Sequence, residues 1–311
     1  MKIEYRMNGV VLEEDVIQST DFDMISVGSE HCIHLIPEET ILLRLLKESN
    51  SLGIEFKLVT PKVSQKYMEC LLAIIEKLKV SSIPFTIVIN DYGLLFECKK
   101  RGILPANVII GRAISRSFED CLWYEHILRD ESEWNRATML QNNMYDLEKY
   151  YYLKKFNITG VECNMLHNQR LSYERLAGMG YLVDVHYKYI SVAFSRACQT
   201  AKYHKRKPPA CDDICKEAFR LKMKHIWTRN VALDSNEESM HQELQRINPV
   251  FLLKGNLLLR ESLLEIEELK GYPIHSLIFD SSLCRKEEIK KIRSRLEGGR
   301  NYEANCNKST C

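Results

Sequence analysis

Three cysteines in the second half of the chain have the residue type and spacing of metal ligands. Twelve residues separate Cys198 from Cys211, and three separate Cys211 from Cys215. A Cys-x₃-Cys pair on a loop or first helical turn can direct both thiolates toward one centre, and the intervening loop lets Cys198 return to them. Thiolates are favoured ligands of both zinc and iron–sulfur clusters. The spacing therefore predicts a metal centre and leaves iron and zinc open.

Three thiolates leave a four-coordinate centre one ligand short. Cys32 lies just beyond a predicted second strand, whereas Cys70 and Cys98 fall within predicted helices. In a barrel of parallel strands, the loops that follow the strands meet at one face. Cys32 is therefore a geometrically possible fourth ligand, and a buried structural thiol is the alternative.

The composition is that of an ordinary globular protein. The 311 residues are 45% hydrophobic and 28% charged, with a net charge of +2 and eleven cysteines. This balance gives no global signal for nucleic acid or membrane binding. The first residues do not read as a signal peptide, and no stretch approaches about 18 uncharged apolar residues. We expect a cytoplasmic protein, whose cysteines are not disulfides in a reducing compartment.

Short runs rich in Val and Ile alternate with helical periodicity along the chain. Such runs are typical of parallel strands that are covered on both faces. The predicted strands are 3–7, 23–29, 55–60, 85–90, 107–114, 157–164, 182–195 and 276–281, with helices such as 37–50 and 61–80 between them. Eight strands favour a TIM-like (β/α)₈ barrel. No glycine-rich fingerprint follows the first strand, which weakens the dinucleotide-binding alternative.

Two regions interrupt the alternation of strands and helices. Residues 199–248 are polar and predict a helical insertion before the last strand. Residues 284–299 predict a charged helix, and 300–311 a disordered tail. The predicted organisation is a barrel over residues 1–285 that carries the metal centre, followed by a C-terminal helix and tail over 286–311.

The cysteines and several short motifs resemble the collagenase-like peptidase family, peptidase family U32, and within it the UbiV-type branch. The similarity covers roughly residues 20–285 in collinear order, and the cysteine spacing is its most specific element. The matching segments are Gly28 to Cys32, Ser195 to Cys198, Cys211 with Cys215, Asn90 to Leu94, Gly111 to Ala113, and Leu253 to Asn256.

This resemblance selects among the metal-site alternatives. Other branches of the family carry a cysteine seven positions before the one that Cys198 matches, and this chain has Ser191 there. The UbiV-type arrangement, with the fourth ligand after the second strand, fits instead. The resemblance thus implies a [4Fe–4S] cluster held by Cys32, Cys198, Cys211 and Cys215, in place of zinc.

The resemblance also implies an activity. Several branches of the family hydroxylate substrates without molecular oxygen, with ubiquinone precursors and RNA bases as substrates and prephenate as a possible oxygen donor. UbiV-type members work as heterodimers with a second family member. Full cysteine ligation leaves the cluster no open position, so one-electron transfer is its simpler role.

Two other functions remain open from the sequence. One is a non-catalytic, cluster-binding partner subunit that supports an active family member. The other is a peptidase, although no Ser-His-Asp or Cys-His arrangement and no His-Glu-x-x-His motif can be found.

Polar residues near predicted strand ends are the catalytic candidates. Asp91 follows the fourth strand, where a helix cap is the alternative. Arg112, placed in the fifth strand, needs an anionic partner or ligand. That partner would be Glu162 if the arginine is structural. Glu162 is a candidate general acid or base if burial raises its pKa.

Three further features have both a functional and a structural interpretation. His186 and Lys188 on the seventh strand either point into the barrel or face solvent near its rim. The basic run 204–207 either attracts an anionic substrate or RNA toward the cysteines, or is a solvated loop.

Overall fold

The fold is taken from a computed structural model of the chain. It describes residues 1–7, 21–195, 197–211, 214–215, 217–222, 238–239, 242 and 250–306. No helix within these ranges is long and apolar enough to cross a membrane.

Within the described ranges, eight parallel strands close into a barrel in the order β1-β12-β7-β6-β5-β4-β3-β2. The predicted (β/α)₈ barrel is therefore confirmed. Closure is made by β12, which pairs with β1 on one side and β7 on the other. The barrel strands are β1 (Lys2–Met7), β2 (Met24–Gly28), β3 (Glu55–Val59), β4 (Thr86–Ile89), β5 (Asn107–Ile110), β6 (Ile158–Asn164), β7 (Leu182–His186) and β12 (Ser276–Asp280).

Helices cover the outside of the barrel because the outward faces of its strands are apolar. The main hydrophobic core lies between strands and helices, and a small apolar cluster of Val59, Val88 and Ile109 sits apart from it. The helices are α1 (Glu39–Ser51), α2 (Gln65–Val80), α3 (Tyr92–Lys100), α4 (Tyr124–Ile127), α5 (Glu133–Met139), α6 (Leu147–Leu153), α7 (Arg170–Gly178), α8 (Gln199–Tyr203) and α9 (Lys286–Cys306).

The predicted seventh strand over 182–195 is two strands. The chain turns at Lys188, whose φ is 67°, and β8 (Tyr189–Phe194) then leaves the barrel. It joins an antiparallel sheet of order β8-β11-β10-β9, formed with β9 (Phe219–Lys222), β10 (Val250–Lys254) and β11 (Leu257–Glu261). The turn was missed because neither Gly nor Pro marks it.

The region predicted as a helical insertion is only partly helical where it is described. Within 199–248 the structure shows the short helix α8 and the strand β9, and the rest of that region is mostly outside the described residues. At the end of the chain, α9 continues to Cys306, so the tail predicted from residue 300 begins as helix. Residues 307–311 lie outside the described ranges.

Candidate metal centre and barrel mouth

The four candidate cysteines come from three segments, two of which follow strands. Cys32 comes four residues after the end of β2, at the start of a 3₁₀ turn (Ile33–Leu35), and Cys198 caps the N-terminus of α8 after β8. Cys211 and Cys215 lie in the next loop; Cys215 is buried, and the other three are partly buried. Cys198 therefore follows a strand of the antiparallel sheet, and not the seventh barrel strand as predicted.

The structure brings these four thiols within electrostatic range of one another. Burial raises the pKa of Cys32 to about 12; a backbone N–H at His34 opposes this, and negative charge on Cys215, Cys198 and Cys211 adds to the rise. Burial likewise raises the pKa of Cys215, reinforced by Cys198 and Cys211. A bound cation would offset the repulsion that raises the pKa of Cys32 and Cys215, and would stabilise both as thiolates.

A positive charge lies near Cys215, and a backbone N–H group donates a hydrogen bond to Cys198. The buried ammonium of Lys254 opposes the rise in the pKa of Cys215, and its Nζ lies 3.2 Å from Asp280 Oδ1. Cys198 Sγ accepts a hydrogen bond from the backbone N–H of Ala201 at 3.3 Å. The positive charge of Lys254 favours the thiolate form of Cys215, which is the form that binds metal.

The donor set fits a thiolate-bound group. Four cysteine thiols are the donor set that iron–sulfur clusters and structural zinc both use. In the described part of the chain, no three His, Cys, Asp or Glu side chains already stand at the distances of ligands to a single metal ion. The four thiols therefore lie near one another, but they are not close enough together to ligate one metal ion.

Ser191 on β8 is hydrogen-bonded at the barrel mouth. Its Oγ accepts from Arg116 Nη1 at 3.0 Å and from Asn164 Nδ2 at 3.2 Å. The residue is fully buried. It therefore braces β8 against the barrel.

The inside of the barrel is charged. Arg6 on β1 forms a two-pronged ion pair with Glu162 and a third contact with Glu4 at 2.8 Å. Burial alone would lower the pKa of Arg6, but Glu162 and Glu4 outweigh it and hold that pKa above its ordinary value. His186 Nε2 lies 2.9 Å from Glu162 Oε2, and burial together with Arg112 and Arg6 holds the pKa of His186 well below its usual range.

A second ion-pair group lies nearer the bottom of the barrel. Lys57 Nζ contacts Glu4 at 2.6 Å and Asp184 at 2.7 Å. Burial opposes ionisation of Asp184, but the Lys57 charge and hydrogen bonds from His275, Lys57 and Ser276 hold its pKa below the ordinary value. These buried charges are paired, as burial requires.

The structure gives Arg112 a different ion-pair partner from the one predicted. Arg112 follows β5 by two residues, and its partner is Glu30, with Nε 2.8 Å from Oε2, and not Glu162. It also donates to the carbonyl of Tyr189 at 2.7 Å. Burial opposes ionisation of Glu30, but the Arg112 charge and hydrogen bond lower its pKa to about 2. Arg112 and Glu162 are thus both held in buried ion pairs.

Asp91 has the cap geometry that was its structural alternative. Its Oδ1 accepts from the backbone N–H of Leu94 and its Oδ2 from that of Val63, both at 3.2 Å. Asn90 beside it is buried and joins two loops, donating to the Thr60 carbonyl and accepting from the Ala113 N–H. Asp91 also lines a cavity at the barrel mouth.

The remaining predicted features divide between the interior and the rim. His186 points into the barrel, whereas Lys188 lies at the rim and contacts Glu261 and Glu288 at 3.3 and 3.7 Å. The basic run 204–207 is exposed, as a solvated loop would be.

A cavity of about 880 Å³ opens between the barrel mouth and the segment that leads to Cys198. Its wall includes Lys62, Asp91, Tyr92, Lys149, Phe194 and Asn256. Lys62 Nζ lies 5.5 Å from the centre of the Phe194 ring. A cavity of this size suits a small organic molecule.

Sequence reasoning found Glu162 and His186 but missed several other charged residues inside the barrel. Glu4, Arg6 and Lys57 alternate with apolar residues in strands whose other members are almost all buried. A period of two places such residues on the inward face. The signal was therefore a charge repeated at alternate positions in otherwise apolar runs.

Comparison with known proteins adds no family assignment. No protein-family model and no curated protein matches the chain. Among solved structures, a U32 peptidase is 9% identical with a TM-score of 0.39, covering 89% of this chain and 92% of that one. Dihydropteroate synthase from Thermus thermophilus is 10% identical with a TM-score of 0.35, covering 94% of both chains.

An HpcH/HpaI aldolase from Desulfitobacterium hafniense is 12% identical with a TM-score of 0.24, covering 66% of this chain and 83% of that one. All three scores are below 0.5. The barrel assignment therefore rests on the strand order of this chain.

Proposed function

We propose that this protein is an iron–sulfur barrel protein of an oxygen-independent hydroxylation system, of the UbiV type within family U32. The observation that carries the proposal is the convergence of four cysteine thiols from three loops, in which Cys198 and Cys211 lie near enough to add to the raised pKa of both Cys32 and Cys215. Cys32, Cys198, Cys211 and Cys215 would hold a [4Fe–4S] cluster. Such a cluster, when bound, supplies one electron at a time.

The cavity supports a substrate site close to this centre. Phe194 lines it, and Cys198 follows four residues later along the same segment. Asn256 Nδ2 donates to the Ser195 carbonyl at 2.6 Å, while its buried Oδ1 has no partner among the described residues. That oxygen is available to accept a hydrogen bond from a substrate N–H or O–H group.

The lysines of the cavity wall would orient an anionic part of the substrate. Lys62 stands over Phe194, and Lys149 Nζ donates to the Asn143 carbonyl at 3.1 Å. Burial lowers the pKa of Lys149, against the opposing charge of Asp146. The aromatic ring beside them offers an apolar face to a planar group.

A peptidase is less well supported by the geometry. Ser29 Oγ lies 2.9 Å from His31 Nδ1, which is a hydroxyl–imidazole contact of the kind a peptidase could use. Both side chains are buried, and the hydroxyl also accepts two backbone N–H groups. The pair supports a loop and is not presented to a substrate as a nucleophile would be.

The test is iron content after anaerobic purification. The intact chain should hold about four irons and show charge-transfer absorption in the visible range. Cys198→Ala and Cys215→Ala should lose both, and Cys70→Ala, in an exposed position on α2, is the matched control. Stoichiometric zinc without iron, or full iron content in both cysteine variants, would overturn the proposal.

A second measurement tests whether this chain is itself the hydroxylase or a non-catalytic partner subunit. Quinones and RNA nucleosides from anaerobic cells with and without the chain are compared by mass spectrometry for the gain of one oxygen atom. Purified chain is then assayed alone and with candidate partners captured from the same cells. Activity that requires a partner would show that the chain works as part of a heterodimer. Activity of the isolated chain would show that it is the enzyme.

A further inference from the structure

The loop that carries Cys32 determines which nitrogen of His31 bears the proton. Ser29 Oγ accepts the backbone N–H groups of His31 at 3.2 Å and of Cys32 at 3.3 Å. A hydroxyl has two acceptor positions and one donor. Its hydrogen is therefore left for His31 Nδ1, which lies 2.9 Å away. An imidazole that accepts at Nδ1 carries its own proton on Nε2.

This Nε2–H group is buried and faces no acceptor within the described residues. The imidazole is 6% exposed, and a Cβ added at Gly255 would lie 2.4 Å from its Cδ2. An unsatisfied buried donor costs about 1–3 kcal/mol. The ring thus packs tightly against the turn between β10 and β11 with its donor unused.

A second unused donor lies on the segment that carries Cys198. Thr200 is fully buried, and its Oγ1 has no hydrogen-bond partner in the described part of the chain. Its backbone N–H donates to the Gly255 carbonyl at 3.0 Å. His31 and Thr200, one and two residues from candidate ligands, therefore meet the same glycine.

We propose that the Nε2–H group of His31 and the hydroxyl of Thr200 donate hydrogen bonds to the sulfur atoms of the bound cluster. This inference rests on the proposed function. Hydrogen bonds to sulfur stabilise the reduced cluster, which is one electron more negative, and so raise the reduction potential. The two residues are positioning residues that set this potential without ligating iron.

Redox titration of the iron-loaded protein tests the proposal. His31→Leu and Thr200→Val remove the donors while keeping apolar bulk, and each should shift the potential to a more negative value at unchanged iron content. Thr200→Ser and His31→Gln keep a donor and should return the potential toward that of the unmodified chain.

His34→Leu is the matched control, because His34 lies two residues from Cys32 but its ring packs against that of Tyr67, with the ring centres 5.0 Å apart. Its potential should not move. Unchanged potentials in His31→Leu and Thr200→Val, or equal shifts in His34→Leu, would overturn the inference while leaving the cluster in place. Absence of iron from the unmodified chain would instead overturn the proposed function.

If His31→Leu fails to hold iron, Thr200→Val, which is nearly isosteric, decides the matter alone. A negative shift in that variant, reversed by Thr200→Ser, supports the inference. An unshifted potential at full iron content contradicts it.

Discussion

Replacing Glu162 by glutamine tests whether this carboxylate holds the barrel together. The side chain is fully buried and binds both terminal nitrogens of Arg6, so the substitution removes one charge of a desolvated pair. Breaking such a pair costs about 3–5 kcal/mol. The amide can still accept one hydrogen bond, and Glu4 still contacts Arg6, so we expect the lower end of that range.

A loss of about 3 kcal/mol lowers the melting temperature of a chain of this length by roughly 5 °C. The assay is thermal unfolding monitored by calorimetry, with the same scan rate for all variants. Glu55→Gln is the control, because its pair with Lys2 is half exposed and such pairs contribute about 1 kcal/mol or less. Equal melting temperatures for Glu162→Gln and Glu55→Gln would refute the structural role of Glu162.

Three further predictions concern the pH dependence and the loop contacts of the barrel mouth. Because Arg112 lowers the pKa of Glu30 from 4.5 to about 2, this pair stabilises the fold above pH 4.5 and loses that stabilisation as the pH falls toward 2. In Glu30→Gln, the free energy of unfolding measured with urea should therefore fall less steeply as the pH is lowered from 4.5 toward 2. An unchanged pH dependence would contradict the pairing. Gly28→Ala places a Cβ 2.3 Å from the Val59 carbonyl oxygen at a φ of 112°, and should sharply reduce soluble yield relative to Gly53→Ala, which meets nothing within 4 Å. Asn90→Ala leaves two backbone groups unpaired and should cost about 1–3 kcal/mol in the same urea assay, whereas a loss below 0.5 kcal/mol, roughly that of an exposed substitution, would speak against it.

The barrel could be predicted because its strands are buried on both faces and read as nearly continuous apolar runs. Their bounds in the structure differ from those predicted by a few residues at most, except where β7 ends. Apolar residues continue through Tyr187 and Tyr189 into β8, so periodicity alone gave one long strand. What separates the strands is a positive φ at Lys188, a conformation that lysine adopts only in a suitable tertiary setting.

The antiparallel hairpin was also missed, although its signal was present. Gly255 and Asn256 form a two-residue turn between apolar runs, and Gly255 has the positive φ of 63° that such a turn requires. Partners across the barrel could not be predicted in the same way. Arg112 pairs with Glu30 because a loop after β2 folds inward, and no local pattern encodes that approach.

The late position of β12 has a consequence for the chain during synthesis. Until residues 276–280 arrive, β1 and β7 are the open edges of an incomplete sheet. Glu4 and Arg6 on one edge, and Asp184 and His186 on the other, place ionisable groups on the faces that later become the interior. Inward-pointing charges on an edge strand discourage pairing with a second chain. The residues that form ion pairs in the finished barrel thus also protect the incomplete sheet against aggregation before β12 is added.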